Sequence, residues 1–194
     1  MTILSKNNEQ GRSMVEMLGV LAIIGVLSVG GISGYSKAMA KFKLTKAQDQ
    51  ISMLLMNIRT AFATSPNYSG LSSGNAINYN IAPGDMIDTV NSKINHAFGG
   101  AVDVAACNSA GGANSNGQYF YIALTKLGRE ACMSLASSDW GTDGLVGMSI
   151  TSTEAFTGTV ADDMKAANMP LSLATASSKC SGKGSYHTIK WVYY

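Results

Sequence analysis

An acidic residue at the entrance to a long apolar run is the first feature of this chain that suggests chemistry. Gly11 and Arg12 are followed by Glu16, and the run Met17–Ser36 that comes next contains no charged residue. An ionisable side chain at the edge of a lipid-embedded helix is costly unless a group of opposite charge pairs with it. Glu16 therefore predicts a positively charged partner.

Disulfide formation is the second chemistry that the sequence suggests. Cysteines stand at positions 107, 132 and 180, and an odd number in an oxidising compartment leaves one thiol over. Pairing Cys132 with Cys180 closes a loop of about 48 residues and stabilises the fold by on the order of 4 kcal/mol. We predict this pair, with Cys107 as a buried thiol or an intermolecular link. Pairing of Cys107 with Cys132 is the alternative.

Enzyme chemistry has no support in the sequence. His96 and His187 are the two histidines, and neither has metal-ligand spacing to a cysteine or a carboxylate. The adjacent acids Asp162 and Asp163 are typical of helix caps or solvated positions. The glycine pairs lack the lysine of a phosphate-binding loop. We therefore expect no catalytic residue, no metal and no cofactor.

Composition gives little indication of a partner. Charged residues are 13% of the chain and the formal net charge is +2, so no basic surface for a nucleic acid is expected. A low charge with abundant Gly, Ala and Ser suits a subunit buried against copies of itself, but it also occurs in secreted domains that bind nothing.

The uncharged run itself is long enough to cross a membrane. As a helix, Met17–Ser36 measures about 30 Å, which matches the hydrocarbon thickness of a bilayer. A secretory signal peptide cut after Ala40 is one alternative, but that cut would split a helix that continues. A simple signal anchor is another alternative, and it does not account for Gly11 with Glu16.

Helical periodicity continues beyond the apolar run. Between residues 37 and 64, apolar residues recur at helical spacing and form one face; they are Leu44, Ile51, Leu54, Leu55, Ile58, Ala61 and Phe62. Ser65 before Pro66 ends the pattern, because a residue preceding proline is disfavoured in the helical region. We predict a helix from about Ser13 to Thr64, with its lysines, Asp49 and Arg59 mostly off the apolar face.

The rest of the chain predicts short elements. Strands are expected at 101–106, 118–124 and 186–194, the first two as a hairpin and the last inside the sheet. Helices are expected after Pro83 up to Ile94, at 126–136 with Cys132, and at 160–167. We predict a loop at 67–75, a short extended piece at 76–81, and an exposed loop over most of 139–178.

Gly11, four residues and then Glu16 before an apolar helix resemble the processing site of type IV prepilins. The resemblance continues through Gly19 and Gly25 and, more loosely, through the head, and is greatest for the type IVb group of toxin-coregulated and conjugative thin pili. It implies that a prepilin peptidase cuts between Gly11 and Arg12, and that Glu16 pairs with the new N-terminal amine of a neighbouring copy. Arg12 departs from the apolar residue usual at that position.

The expectation is therefore an α+β pilin fold, with a long N-terminal helix packed on an antiparallel sheet. Its parts would be a leader at 1–11, a membrane and assembly segment at 12–36, an amphipathic segment at 37–65 and a head at 66–194. The resemblance implies a major pilin that leaves the inner membrane, where its head is periplasmic, for an extracellular helical filament of identical subunits. Prepilin peptidase and the assembly machinery are its other expected partners. A minor, priming or tip subunit, or a membrane-anchored adhesion module, is the alternative.

Overall fold

The computed structural model describes residues 14–114, 117–141, 143–181 and 186–194. A long helix, α1 (Met14–Ala61), begins the described chain. The chain divides into two units after Lys41. We call residues 14–41 the N-terminal segment and Phe42–Tyr194 the head.

The bounds of α1 agree with the predicted helix to within three residues at its C-terminal end. Phe62 still donates a backbone hydrogen bond to Ile58 at 3.0 Å, and turns follow up to Ser65. The proline at 66 explains why the helical pattern does not resume.

The head contains an antiparallel sheet that has six strands in the described residues. The strands are β1 (Ile87–Asp88), β2 (Lys93–Asn95), β3 (Ala101–Cys107), β4 (Tyr119–Leu127), β5 (Leu145–Thr151) and β6 (His187–Tyr193). Their order across the sheet is β1-β2-β3-β4-β6-β5. The predicted hairpin is confirmed as β3 and β4, and the predicted central position of the last strand is confirmed because β6 lies between β4 and β5.

One face of this sheet and the second half of α1 form the main core of the head. Ile51, Leu54 and Ile58 of the helix are fully or almost fully buried, as are Ile122 and Trp191 of the central strands. Burying such side chains stabilises the fold by about 1.5–3 kcal/mol each. The α+β fold class predicted from the sequence is confirmed.

The predicted loop is confirmed for residues 67–72, whereas the elements predicted for 73–94 are wrong. A short helix, α2 (Ser73–Asn78), takes the place of the end of the expected loop and the start of the extended piece, and Ser72 caps it by accepting a hydrogen bond from Asn75 N at 3.2 Å. The expected helix after Pro83 is one 3-10 turn followed by the β1–β2 hairpin. There the Asp88 side chain binds the backbone of residues 90 and 91, which competes with helix formation.

The boundary between β4 and the next helix lies later than predicted. β4 continues to Leu127, where it pairs with His187 after a register shift, and α3 (Arg129–Ala136) begins two residues beyond. Lys126 has a φ of 55°, which is incompatible with a right-handed α-helix. The helix with Cys132 is confirmed, and its predicted start at Lys126 is wrong.

The exposed loop predicted over 139–178 contains a buried strand. β5 pairs with β6, and its residues Leu145 and Met148 lie in the core. Two 3-10 turns, Asp162–Met164 and Ala166–Asn168, take the place of the helix predicted at 160–167. A further helix, α4 (Leu173–Lys179), was not predicted; Ser172 caps it by accepting from Thr175 N at 3.2 Å.

Candidate assembly surface

The N-terminal segment presents a continuous apolar surface. Every residue from Met14 to Ala38 is exposed, and an 18-residue window of α1 has a mean hydropathy of 2.2 with none of it buried. By length and composition this helix is able to cross a membrane, although a signal sequence would meet the same criteria. The segment thus exposes a larger continuous apolar surface than soluble monomers usually expose to water.

Two serines of this segment form hydrogen bonds within their own helix. Ser28 Oγ donates to Ile24 O at 2.7 Å, and Ser36 Oγ donates to Ile32 O at 2.9 Å. Such bonds allow a hydroxyl to lie in an apolar environment without an outside partner. A Cβ atom added to any of the segment's glycines would meet no neighbouring atom; these are Gly19, Gly25, Gly30, Gly31 and Gly34. The described chain itself does not require small residues at these positions.

The predicted processing and assembly residues are only partly within the described chain. Glu16 lies in the first turn of α1 and is exposed. Gly11 and Arg12 lie outside the described residues. The pairing of Glu16 and the cleavage site therefore stay predictions.

Residues 42–61 of α1, in contrast, are held in the head by polar contacts as well as by the core. Gln50 donates to Asp85 Oδ2 at 2.8 Å and accepts from Ala97 N at 3.1 Å. Lys46 forms an ion pair with the same Asp85 at 3.3 Å. The hydrogen bond from Gln50, followed by Lys46, lowers the pKa of Asp85 below its usual value. Gln50 is 5% exposed and links α1 to two separate segments of the head.

Two further side chains attach the last turns of α1. Asn57 donates to Ile81 O at 2.8 Å, and Arg59 donates to Asp143 O at 2.8 Å. Gly144, with a φ of +76°, lies so close to Arg59 that an added Cβ would be 2.2 Å from a guanidinium nitrogen. Sequence reasoning placed Arg59 mostly off the apolar face and missed that it binds the head. A lone arginine gives no signal of its partner.

The disulfide predicted between Cys132 and Cys180 is present and joins α3 to the end of α4. Both cysteines are fully buried, and the sulfurs are 2.01 Å apart. Cys107 is a free, fully buried thiol, and burial raises its pKa to about 12. A thiol in this state is unreactive.

A second buried layer covers the other face of the sheet. Lys190 is 3% exposed, donates to Gly111 O at 3.2 Å and lies 4.5 Å from the ring centroid of Tyr121. Tyr121 in turn donates to Asp103 at 2.6 Å. Burial lowers the pKa of Lys190. Sequence reasoning missed this layer, because a lysine alternating with apolar residues in a strand is typical of a solvent-exposed face.

Metal binding has no support in the described part of the chain. Groups of three or more His, Cys, Asp or Glu close enough to hold a metal ion do not occur among residues 14–114, 117–141, 143–181 and 186–194. His96, which is 4% exposed, donates to Thr125 O at 2.7 Å and accepts from Phe98 N at 3.2 Å. Both ring nitrogens therefore have backbone partners, and the ring has a structural role.

The chain is similar to known pilus subunits. The family model described as PilS N terminal matches residues 42–193, which begin at the first residue of the head. The major structural subunit of the bundle-forming pilus of Escherichia coli O111:H- is 30% identical over 195 positions, covering 99% of this chain and 97% of that protein. The corresponding subunit of Escherichia coli O127:H6 (strain E2348/69 / EPEC) is 31% identical over 140 positions, covering 72% of this chain and 70% of that protein.

Solved pilin structures share the fold. A type IV b pilin from Salmonella typhi has a TM-score of 0.51 and 22% identity, covering 78% of this chain and 97% of that chain. TcpA, a type IV pilin from the Vibrio cholerae El Tor biotype, has a TM-score of 0.53 and 13% identity, covering 78% and 99%. At these identities the likeness concerns the fold alone.

Proposed function

We infer that this chain, which belongs to the PilS family of type IV pilins, is a major structural subunit of a pilus filament. The observation that carries this inference is that the apolar N-terminal segment is uncovered, while the head has a core of its own. Two relatives, matched over 99% and 72% of this chain, are named major structural subunits of the bundle-forming pilus. The role is structural and not enzymatic.

Copies of the same chain are the partners that would cover the N-terminal segment. In an apolar surrounding the hydrophobic effect does not drive helices together, so their association depends on close packing. Small residues allow that packing, because they let the helix backbones approach each other. The five glycines between positions 19 and 34 have no neighbours in their own chain, so that space is available to helices of other subunits. Before assembly, the same surface would lie in the inner membrane with the head in the periplasm.

Glu16 would set the register of each incoming subunit. The proposed partner is the amine of a neighbour, freed when a prepilin peptidase cuts between Gly11 and Arg12. A carboxylate and an ammonium that meet in an apolar surrounding attract strongly, and an unpaired one is costly. Only the correct axial position of the new subunit then satisfies both charges.

Replacing Glu16 tests this role. Glu16→Ala removes the attraction but makes the segment more apolar, so the protein should remain processed and inserted while filaments are lost. Loss of about 1.4 kcal/mol per added subunit already lowers the association constant roughly tenfold. Electron microscopy of sheared filaments and a blot of membrane fractions measure the two properties. Glu16→Asp, which keeps the charge, is the matched control and should retain more filaments. Normal filament numbers with the alanine variant would refute the pairing.

The mature N-terminus distinguishes the proposed processing from secretion by a signal peptide. Sequencing of surface protein should show Arg12 as the first residue, whereas a start at Lys41 would remove the assembly segment altogether. The amount of this chain in sheared filaments separates a major subunit from a minor, priming or tip subunit. A major subunit should be the most abundant protein in that fraction.

A further inference from the structure

An exposed valine on a turn held by several hydrogen bonds is the first of two unexplained surface features of the head. Val90 is 89% exposed, more than any other large apolar side chain of the described residues. Its turn is held by Asp88, which accepts from Val90 N and Asn91 N at 3.1 Å and from Asn91 Nδ2 at 2.8 Å. The hairpin therefore presents Val90 in a fixed position, although the side chain contributes little to the core.

The second feature is an apolar groove between α3 and α4. It is open to solvent, has a volume of about 300 Å³ and is lined by Arg129, Glu130, Met133, Ser134 and Leu173. Leu173 is 69% exposed. The disulfide fixes α4 on α3, and Arg129 adds a hydrogen bond to Ser177 Oγ at 3.3 Å. The two helices that line the groove are therefore held together before any partner binds. Its volume is about ten times the 30 Å³ that a water molecule occupies in the liquid, which is enough for a small aliphatic side chain.

The charges beside the two features are complementary. Asp88 and Lys93 are directly opposite each other at the base of the hairpin, so a negative and a positive side chain flank Val90. Arg129 and Glu130 are consecutive exposed residues at the groove. Asp88 facing Arg129 and Lys93 facing Glu130 would make two opposite-charge pairs, which fix register and favour the correct partner.

The hairpin and the groove belong to different parts of the head. The hairpin forms one edge of the sheet, whereas α3 contacts β6, and β3 and β4 lie between β2 and β6. Two different complementary patches on one subunit produce a head-to-tail contact, and such contacts build open helical assemblies when the rotation does not close.

We propose that the Val90 hairpin of one copy inserts into the α3–α4 groove of the next copy in the filament. The contact rests on the proposed function, because a filament supplies the copies at high local concentration. Val90 contacts Met133 and Leu173, and the two charge pairs flank it. The heads are then joined to one another independently of the N-terminal segments.

Cysteine cross-linking in intact filaments tests the contact. Val90→Cys combined with Leu173→Cys in the full chain should give a ladder of covalent multimers after mild oxidation and non-reducing electrophoresis. Each single variant should remain monomeric. Cys107 is buried and Cys132 is bonded to Cys180, so these three do not compete. Tyr79→Cys with Leu173→Cys is the matched control, because Tyr79 is similarly exposed at 65% but lies outside the hairpin. It should give no ladder.

Charge exchange provides a second test that needs no cross-link. Lys93→Glu and Glu130→Lys, which leave the Asp88 hydrogen bonds of the turn in place, should each lower filament yield severalfold, and the two together should restore most of it. Intact filaments without a ladder, or a double charge variant no better than the worse single one, would overturn the contact and leave the proposed function standing. Failure of the wild-type chain to form filaments would overturn both.

Discussion

Residues 14–41 and residues 42–61 belong to one helix but depend on different surroundings. In the first part, Leu21 is 61% exposed, and in the second part Leu54 is fully buried under the sheet. The polar side chains follow the same division, because Ser28 and Ser36 of the first part bond their own helix and Gln50 bonds the head. Helical structure alone therefore does not indicate what stabilises a segment. The second part is held by its own chain, and the first is left for a membrane or for other copies.

Loss of the disulfide should have the largest effect on the stability of the head. Replacing Cys132 and Cys180 with serine frees a loop whose ends are 48 residues apart, which lowers the free energy of unfolding by about 4 kcal/mol. Helicity of the N-terminal segment in detergent should not change, since the bond lies wholly within the head. Chemical denaturation followed by near-ultraviolet circular dichroism measures the loss. Cys107→Ala, which breaks no cross-link, should cost only about 1 kcal/mol; equal losses would contradict the prediction.

A matched pair of leucines should separate the two parts of α1. Leu54→Ala leaves a cavity in the core and should lower the free energy of unfolding of the head by about 2–5 kcal/mol. Leu21→Ala should change it by less than about 0.5 kcal/mol, because Leu21 has no core around it. Denaturation of both variants in detergent makes the comparison. A similar loss for both would mean that the N-terminal segment is part of the head's cooperative unit.

Acidification should destabilise the head through His96. Burial lowers the pKa of His96 from 6.5 to about 4, so between these values the unfolded state binds more protons. Above pH 6.5 both states carry a neutral His96, and the free energy of unfolding has its full value. As the pH is lowered from 6.5 towards 4, preferential protonation of the unfolded state lowers the free energy of unfolding by about 3 kcal/mol.

Denaturation at several pH values, compared with His96→Gln, isolates this contribution. His187, whose pKa is also lowered by burial and by Arg129, remains in both proteins. Between pH 4 and 6.5, the free energy of unfolding of the variant should depend less steeply on pH, by an amount that corresponds to about one bound proton. Identical pH profiles would show that His96 does not titrate as proposed.

Removing a single polar link should have the smallest effect. Gln50→Ala leaves the Ala97 N–H without its helix partner and Asp85 with Lys46 alone, and should lower the free energy of unfolding by about 1–2 kcal/mol. Asp49→Ala, at an exposed neighbouring position of the same helix, should change it by less than about 0.5 kcal/mol. Thermal denaturation of the two variants is sufficient. An equal effect would mean that the core, and not the polar links, holds residues 42–61.

Prediction from sequence succeeded where the signal is periodic or strongly biased. The bounds of α1 follow from an uncharged run and then an apolar stripe, and β4 and β6 follow from aromatic and β-branched residues. It failed at β1, β2, β5, α2 and α4, which are short and whose form depends on single side chains or on pairing with a distant strand. β5 was missed because pairing with β6, 36 or more residues away in the chain, stabilises it.

The sequence by itself determined the membrane-type segment and the amphipathic half of α1, because these depend on local pattern. It favoured Cys132 with Cys180 but left Cys107 with Cys132 open, and the tertiary structure decided between them. Tertiary structure decided where Gln50, Arg59 and Lys190 bind. A polar side chain carries no record of its partner, and its partners here lie 35, 84 and 79 residues away. Only the folded chain brings Asp85, Asp143 and Gly111 within hydrogen-bonding distance of them.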